Sequence, residues 1–186
     1  MKFDFDKIED FEKHIELSIP NFLTLDNIFR NIAHEYAQPE STVVDLGCST
    51  GRFLSSLNKT KDVNYFGFDE VDMLNRHNDF KFLKGDCEDL VLSIDEIDSG
   101  SVLLISEKVY LNDPRLQQTI SRLHIQEKRK GFTDKEILDK DLELSVSMFC
   151  KTESDLEKEL SLLGRVSKVW QSYNFMGYVV KQLPKD

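Results

Sequence analysis

The chain has 186 residues, 40% of them apolar and 31% charged, and carries a formal net charge of -10. This length suits one domain with a sizeable core, and the composition is that of an ordinary soluble globular fold. An acidic surface repels phosphate backbones, which argues against direct nucleic-acid binding and favours a small-molecule substrate. The compact basic run Lys128-Arg129-Lys130 lies near acids and reads as a solvated helix end.

No apolar run approaches the roughly 18 residues needed to span a bilayer. The opening Met1-Lys2-Phe3-Asp4-Phe5-Asp6 lacks the apolar stretch of a signal peptide. Cys48, Cys87 and Cys150 are scattered without metal-ligand spacing, and their odd number suits a reducing compartment. The expectation is a cytoplasmic protein with no membrane segment and no metal.

Ile8, Phe11 and Ile15 recur at helical spacing and predict an amphipathic helix over 6–17, interrupted by Ser18-Ile19-Pro20-Asn21. Leu25, Ile28, Phe29, Ile32, Ala33 and Tyr36 predict a second helix closed by Pro39. No strand is predicted before residue 43, so residues 1–40 form a helical lid or buttress and 41–186 an α/β core, all in a single domain.

Val43-Val44-Asp45-Leu46 then lead into Gly47-Cys48-Ser49-Thr50-Gly51, and Phe53, Leu54 and Leu57 resume helical spacing. That order reads as a buried strand, a tight loop and a helix start. In a mainly parallel sheet, such a loop at a strand's carboxyl end is where a nucleotide-like ligand sits. Gly47 and Gly51 let the backbone turn and approach a ligand, and Asp45 can bond within the loop or receive a positively charged ligand group. A dinucleotide fingerprint would need glycine at Ser49 and Arg52. Serine in the middle suits S-adenosylmethionine better, because that cofactor has no pyrophosphate to press on the backbone.

Val63 to Phe68 predict a second strand ending at Asp69, 18 residues past Gly51, where a ribose-hydroxyl acceptor is expected; Glu70 can share the role. Phe80-Lys81-Phe82-Leu83 predict a third strand, followed by Asp86, a candidate acceptor for an adenine amino group. Ser101 to Ser106 read as another buried strand. Asp113-Pro114 opens a helix that Gly131 stops. Thr133-Asp134-Lys135-Glu136 and Ser154-Asp155-Leu156-Glu157 read as capping boxes, with Gly164 ending the last helix. Val166 to Trp170 and Phe175 to Val180 predict a closing antiparallel pair. His14, His34, His77 and His124 read as surface or helix-packing residues, and no catalytic residue stands out.

Taken together, Ser18-Ile19-Pro20, Asp45-Leu46-Gly47-Cys48-Ser49, Leu104-Ile105-Ser106-Glu107-Lys108, Gly131-Phe132-Thr133, Glu136-Ile137, and Trp170 with Asn174-Phe175 resemble the class I S-adenosylmethionine-dependent methyltransferases, and within them the carboxy-S-adenosylmethionine synthase branch. The resemblance runs from about residue 4 to residue 181. It implies a Rossmann-like α/β fold with a central, mostly parallel sheet and a C-terminal antiparallel hairpin. It also implies a cytoplasmic homodimer that binds S-adenosylmethionine or its carboxylated derivative. Family members transfer a carboxyl-derived unit from prephenate, and the product is used in tRNA wobble-uridine modification. Carried over by position, Gly47, Cys48 and Ser49 would line the methionine part, Asp69 and Glu70 hold the ribose, and Asp86 with Cys87 meet the adenine. Phe22 stands where that branch has a cofactor-contacting tyrosine.

Two features depart from the family. One strand-helix unit is missing between Asp86 and Pro114, and Asp141 stands where the branch has a carboxylate-binding arginine. The expectation is therefore a transferase acting on a small molecule, with a non-catalytic S-adenosylmethionine-binding or scaffold protein as the alternative.

Overall fold

A computed structural model describes residues 10–85, 101–145 and 148–182. The chain divides into two compact units. One holds Leu23–Asp98 with Asp6–Glu12, and the other Ser99–Asp186 with Lys13–Phe22.

The first unit is built on three parallel strands in the order β1 (Thr42–Leu46), β2 (Asn64–Asp69), β3 (Lys81–Lys84). Val44 pairs with Phe66 and Gly67 with Phe82, so the carboxyl ends of all three strands point the same way. The connection from β1 to β2 carries a short helix, α3 (Arg52–Ser56). Leu25, Phe29 and Ala33 of α2 (Phe22–Tyr36) are buried at the predicted helical spacing, with Leu54, Leu57, Tyr65, Phe68 and Met73 in the same unit. The buried Asp26 of this helix is paired with Arg30 at 2.5 Å and lies 3.8 Å from Arg52 at the start of α3. Among the described residues β1 has a strand neighbour on one side only, and alternate residues are open, Val44 at 43% and Leu46 at 44%. It is thus half-exposed instead of the buried strand its apolar residues predict.

The second unit is antiparallel, with β6 (Phe175–Lys181) between β4 (Val102–Lys108) and β5 (Arg165–Ser172). Central β6 is the most buried strand; Met176 and Tyr178 are fully enclosed and Val180 nearly so. They form one core with Val109, Leu111, and Leu156 and Leu160 of α6 (Glu153–Leu160). β4, an edge strand here, is only partly buried. The predicted hairpin is present, with a bulge between Lys168 and Trp170.

α1 (Phe11–Ser18) precedes α2, and α4 (Pro114–Lys128) starts as predicted, Asp113 accepting from the amides of Arg115 and Leu116. Both halves of the capping box are formed at Thr133 for α5 (Asp134–Leu144). The box at Ser154 is not. Thr152 caps α6 by accepting from the Asp155 amide, which places Ser154 inside the first turn. Gly164 is not that helix's cap, since α6 closes at Ser161. A Cβ at Gly164 would stand 2.4 Å from the Lys181 carbonyl oxygen, so the glycine admits the end of β6.

Candidate functional site

The loop between β1 and α3 is held by its own backbone. The amides of Gly47 and Cys48 both donate to the Phe68 carbonyl, at 2.7 and 3.1 Å, which turns the chain across the end of β2. The Gly51 amide then donates to the Cys48 carbonyl at 2.7 Å. Three residues take left-handed backbone angles: Gly47 (φ 74°), Ser49 (φ 49°) and Gly51 (φ 74°). A serine in that region costs on the order of 1 kcal/mol, a strain found where surrounding bonds over-determine a loop.

The two glycines serve different ends. A Cβ at Gly47 would meet nothing within 4 Å among the described residues, which leave its face of the loop open. A Cβ at Gly51 would stand 2.1 Å from the tip of the Phe80 ring, and one at Gly67 2.5 Å from the same ring. Gly51 therefore leaves room for an aromatic side chain. Only Gly47 has the open approach expected of both.

Asp69 closes the site at the end of β2. Its Oδ2 accepts from the Ser49 amide at 2.8 Å and its Oδ1 from the Val71 amide at 2.9 Å. Each carboxylate oxygen keeps a lone pair for a further donor. Glu70 follows, exposed. Asp45 lies on the neighbouring strand, where burial and then the Asp69 carboxylate push its carboxyl up to about 7. The thiol of buried Cys48 is pushed up to about 12, first by burial and then by Asp45 and Asp69, so it packs and does not attack. Ser49 Oγ is buried without a hydrogen-bond partner among the described residues. Two carboxylates, an unused hydroxyl and an open glycine face suit a ligand that brings positive charge and hydrogen-bond donors.

Glu12 is a component that sequence spacing could not reveal. It accepts from Thr50 Oγ1 at 3.2 Å, sits 4.0 Å from Arg52 Nε and lies 3.6 Å from His77 Nε2. The His77 amide donates to the Thr50 carbonyl at 2.9 Å, so the loop's far end is tied from two directions. These partners are separated by tens of residues and share no motif.

Phe22 is the first residue of α2 and groups with the unit that contains β4. Asp86 and Cys87 lie outside the described residues. Asp141 is on α5, its carboxylate 3.5 Å from Lys128 Nζ. Lys128 itself is 7% exposed, which corrects the reading of Lys128-Arg129-Lys130 as a solvated helix end. Only Arg129 and Lys130 fit that description, paired with Asp134 and Glu127. Among the described residues no group of three or more His, Cys, Asp or Glu side chains could hold a metal ion, and no helix is long and apolar enough to cross a membrane.

No family model matches the chain. Among curated proteins, it is 25% identical to the carboxy-S-adenosyl-L-methionine synthase of Shewanella halifaxensis, covering 91% of this chain and 87% of that protein. It is 21% identical to the protein of the same name from Hydrogenovibrio crunogenus, covering 96% and 88%. The first alignment spans 212 positions, more than the whole chain contains, so the relative has residues that this chain lacks. Among solved structures, a methyltransferase in complex with the Trm112 activator of Haloferax volcanii superposes with a TM-score of 0.48 and 14% identity, covering 90% of this chain and 97% of that one. In sequence, then, the chain is similar to the carboxy-S-adenosyl-L-methionine synthases along most of its length, and its first unit has the parallel strand-loop-helix arrangement of a Rossmann-like α/β fold.

Proposed function

We propose that the protein is an S-adenosylmethionine-dependent transferase acting on a small molecule, with the cofactor held at the Gly47–Gly51 loop. The observation that carries this reading is the left-handed Gly47 and the Ser49 hydroxyl, the one open and the other unpartnered among the described residues, with Asp69 at the end of the next strand. These groups fit the cofactor. Gly47 leaves room for its methionine chain, Ser49 Oγ has hydrogen-bonding capacity to give, and Asp69 retains lone pairs for ribose hydroxyls. Asp45 offers a carboxylate to an ammonium group, which would favour its ionised form.

When bound, S-adenosylmethionine supplies an activated sulfonium centre, so the protein's share is to hold, align and exclude water. Here the Phe68 carbonyl and the Asp69 carboxylate fix the loop before any ligand arrives, and Glu12 fixes its far end through Thr50. Such preorganisation lowers the ordering cost of binding. The similarity to proteins named carboxy-S-adenosyl-L-methionine synthase supports the carboxylated cofactor as product or ligand. A homodimer and a place in tRNA modification in the cytoplasm are proposed from the family resemblance alone. Asp86 and Cys87 are proposed for the adenine and Phe22 for a stacking contact. The acid at Asp141 argues against the carboxylate-binding role of the branch's arginine there.

A second reading, a non-catalytic cofactor-binding or scaffold protein, is favoured by the exposed apolar side chains of Val44 and Leu46 on β1. Calorimetry decides first whether cofactor binds. Wild type should bind S-adenosylmethionine, and Asp69→Asn, which keeps the side chain's shape, should weaken binding at least tenfold. No binding at millimolar cofactor would sink both cofactor readings. Turnover of labelled cofactor with a metabolite pool separates enzyme from binder.

A further inference from the structure

The helices α4 and α5 belong to the unit that contains β4, β5 and β6, and their exposed faces carry opposite charge. Burial fixes which way each helix faces. His124 and Lys128 of α4 and Ile137 of α5 are buried, so the positions across the helix from them are open. On α4 that open face is Arg115, Leu116, Gln118, Arg122, Leu123 and Gln126, with no acid among them. Leu116 and Leu123, two turns apart, are 50% and 39% exposed, and Arg115 and Arg122 repeat at the same interval beside them. Neither arginine side chain makes an ion pair or hydrogen bond among the described residues. Arg115 also lies in the first turn, where the helix dipole disfavours a cation.

The open face of α5 carries Leu138 and Leu142, one turn apart and 59% and 60% exposed. Its exposed charged residues are Asp134, Glu136, Asp139 and Asp141, against Lys135 alone. Arg129 holds Asp134, the Thr133 cap holds Glu136, and Lys128 faces Asp141. Asp139 is left without a partner among the described residues.

Leucines flanked by arginines are best covered by leucines flanked by carboxylates, and this chain carries both. A two-fold axis that sets α4 of one copy on α5 of another makes the same contact twice and closes the assembly at two. Apolar burial supplies the attraction, and charge chooses the pairing. Setting α4 on α4 would oppose arginines, and α5 on α5 would oppose carboxylates. We infer that a second copy of this chain docks on these faces, the leucines and arginines of α4 meeting the leucines and acids of α5 from its partner. The inference gives the proposed homodimer its faces and does not rest on the cofactor reading.

The test is sedimentation velocity of the full chain from micromolar to submillimolar concentration, at low and high salt. Wild type should form dimers that weaken severalfold in high salt. Arg122→Glu and Asp139→Lys, both at exposed positions, should each raise the dissociation constant at least tenfold, because each reversal acts in both contacts. Mixed in equal amounts, the two variants should associate at close to wild-type affinity. Each mixed pair then opposes glutamate to lysine in one contact and arginine to aspartate in the other, and this rescue also shows both variants folded. Leu142→Gln, a good helix former, should weaken association severalfold. A wild type that stays monomeric overturns the inference. A dimer indifferent to Arg122→Glu and Leu142→Gln also overturns it and places the homodimer on another face. A mixture no tighter than its components overturns the pairing of α4 with α5. The Asp69→Asn calorimetry decides the cofactor site separately from all of these.

Discussion

Asp45 and Asp69 stand at the ends of adjacent parallel strands, and that proximity has a measurable consequence. Burial and the Asp69 charge raise the Asp45 carboxyl to about 7, whereas an unfolded aspartate titrates near 4. Between these values the native chain holds a proton that the unfolded chain has lost. The stabilising effect of that proton is full below pH 4 and is lost as pH rises through 7. Asp45→Asn removes the loss. It should be more stable than wild type by about 1–2 kcal/mol at pH 8, and little different near pH 4, with the solvent-exposed strand edge keeping the figure below the full shift. Urea unfolding across pH checks this, and identical pH slopes in the two proteins would refute the coupling. The Asp45 carboxylate is destabilising alone and useful to a cationic ligand, a common feature of binding sites.

At the scale of elements, helix starts show how local chemistry chooses between neighbouring candidates. Thr152 stands before α6 and Ser154 in its first turn, and the Thr152 hydroxyl accepts from the Asp155 amide at 3.2 Å. Ser154 instead meets Asn112 Oδ1 at 3.0 Å. Thr152→Ala should therefore cost about 1 kcal/mol, and Ser154→Ala only a few tenths. Thermal unfolding of the two variants discriminates, and equal losses would return the cap to Ser154. The sequence signal for the box at Thr133 succeeded because cap and reciprocating glutamate, Thr133 and Glu136, are unambiguous. At α6 two hydroxyl residues competed, and an acid three residues past each made both look valid.

For the whole molecule, the chain divides into two compact units, and the loop, Asp45 and Asp69 all belong to the first. A ligand stabilises what it binds by mass action, roughly 2.7 kcal/mol at 100 times its dissociation constant. Hydrogen exchange with saturating S-adenosylmethionine should therefore slow the amides of Gly47–Gly51 and of Asp69–Val71 at least tenfold. Uniform protection across β4, β5 and β6 with none at the loop would contradict the assigned site.

The sequence by itself determined the order of elements, most helix starts, the closing hairpin and the strand-loop-helix that contains Gly47. Each of these is encoded by periodicity or by hydroxyl, glycine and proline residues acting within a few positions. It also located Asp69, because strand length and loop length fix that spacing. Only the tertiary structure decided that Gly51 leaves room for Phe80, that Glu12 ties the loop, that Val44 and Leu46 of β1 are exposed, and that Lys128 is buried opposite Asp141. Those are contacts between residues far apart in the chain. No local pattern records which distant side chain will fill a space or share a charge.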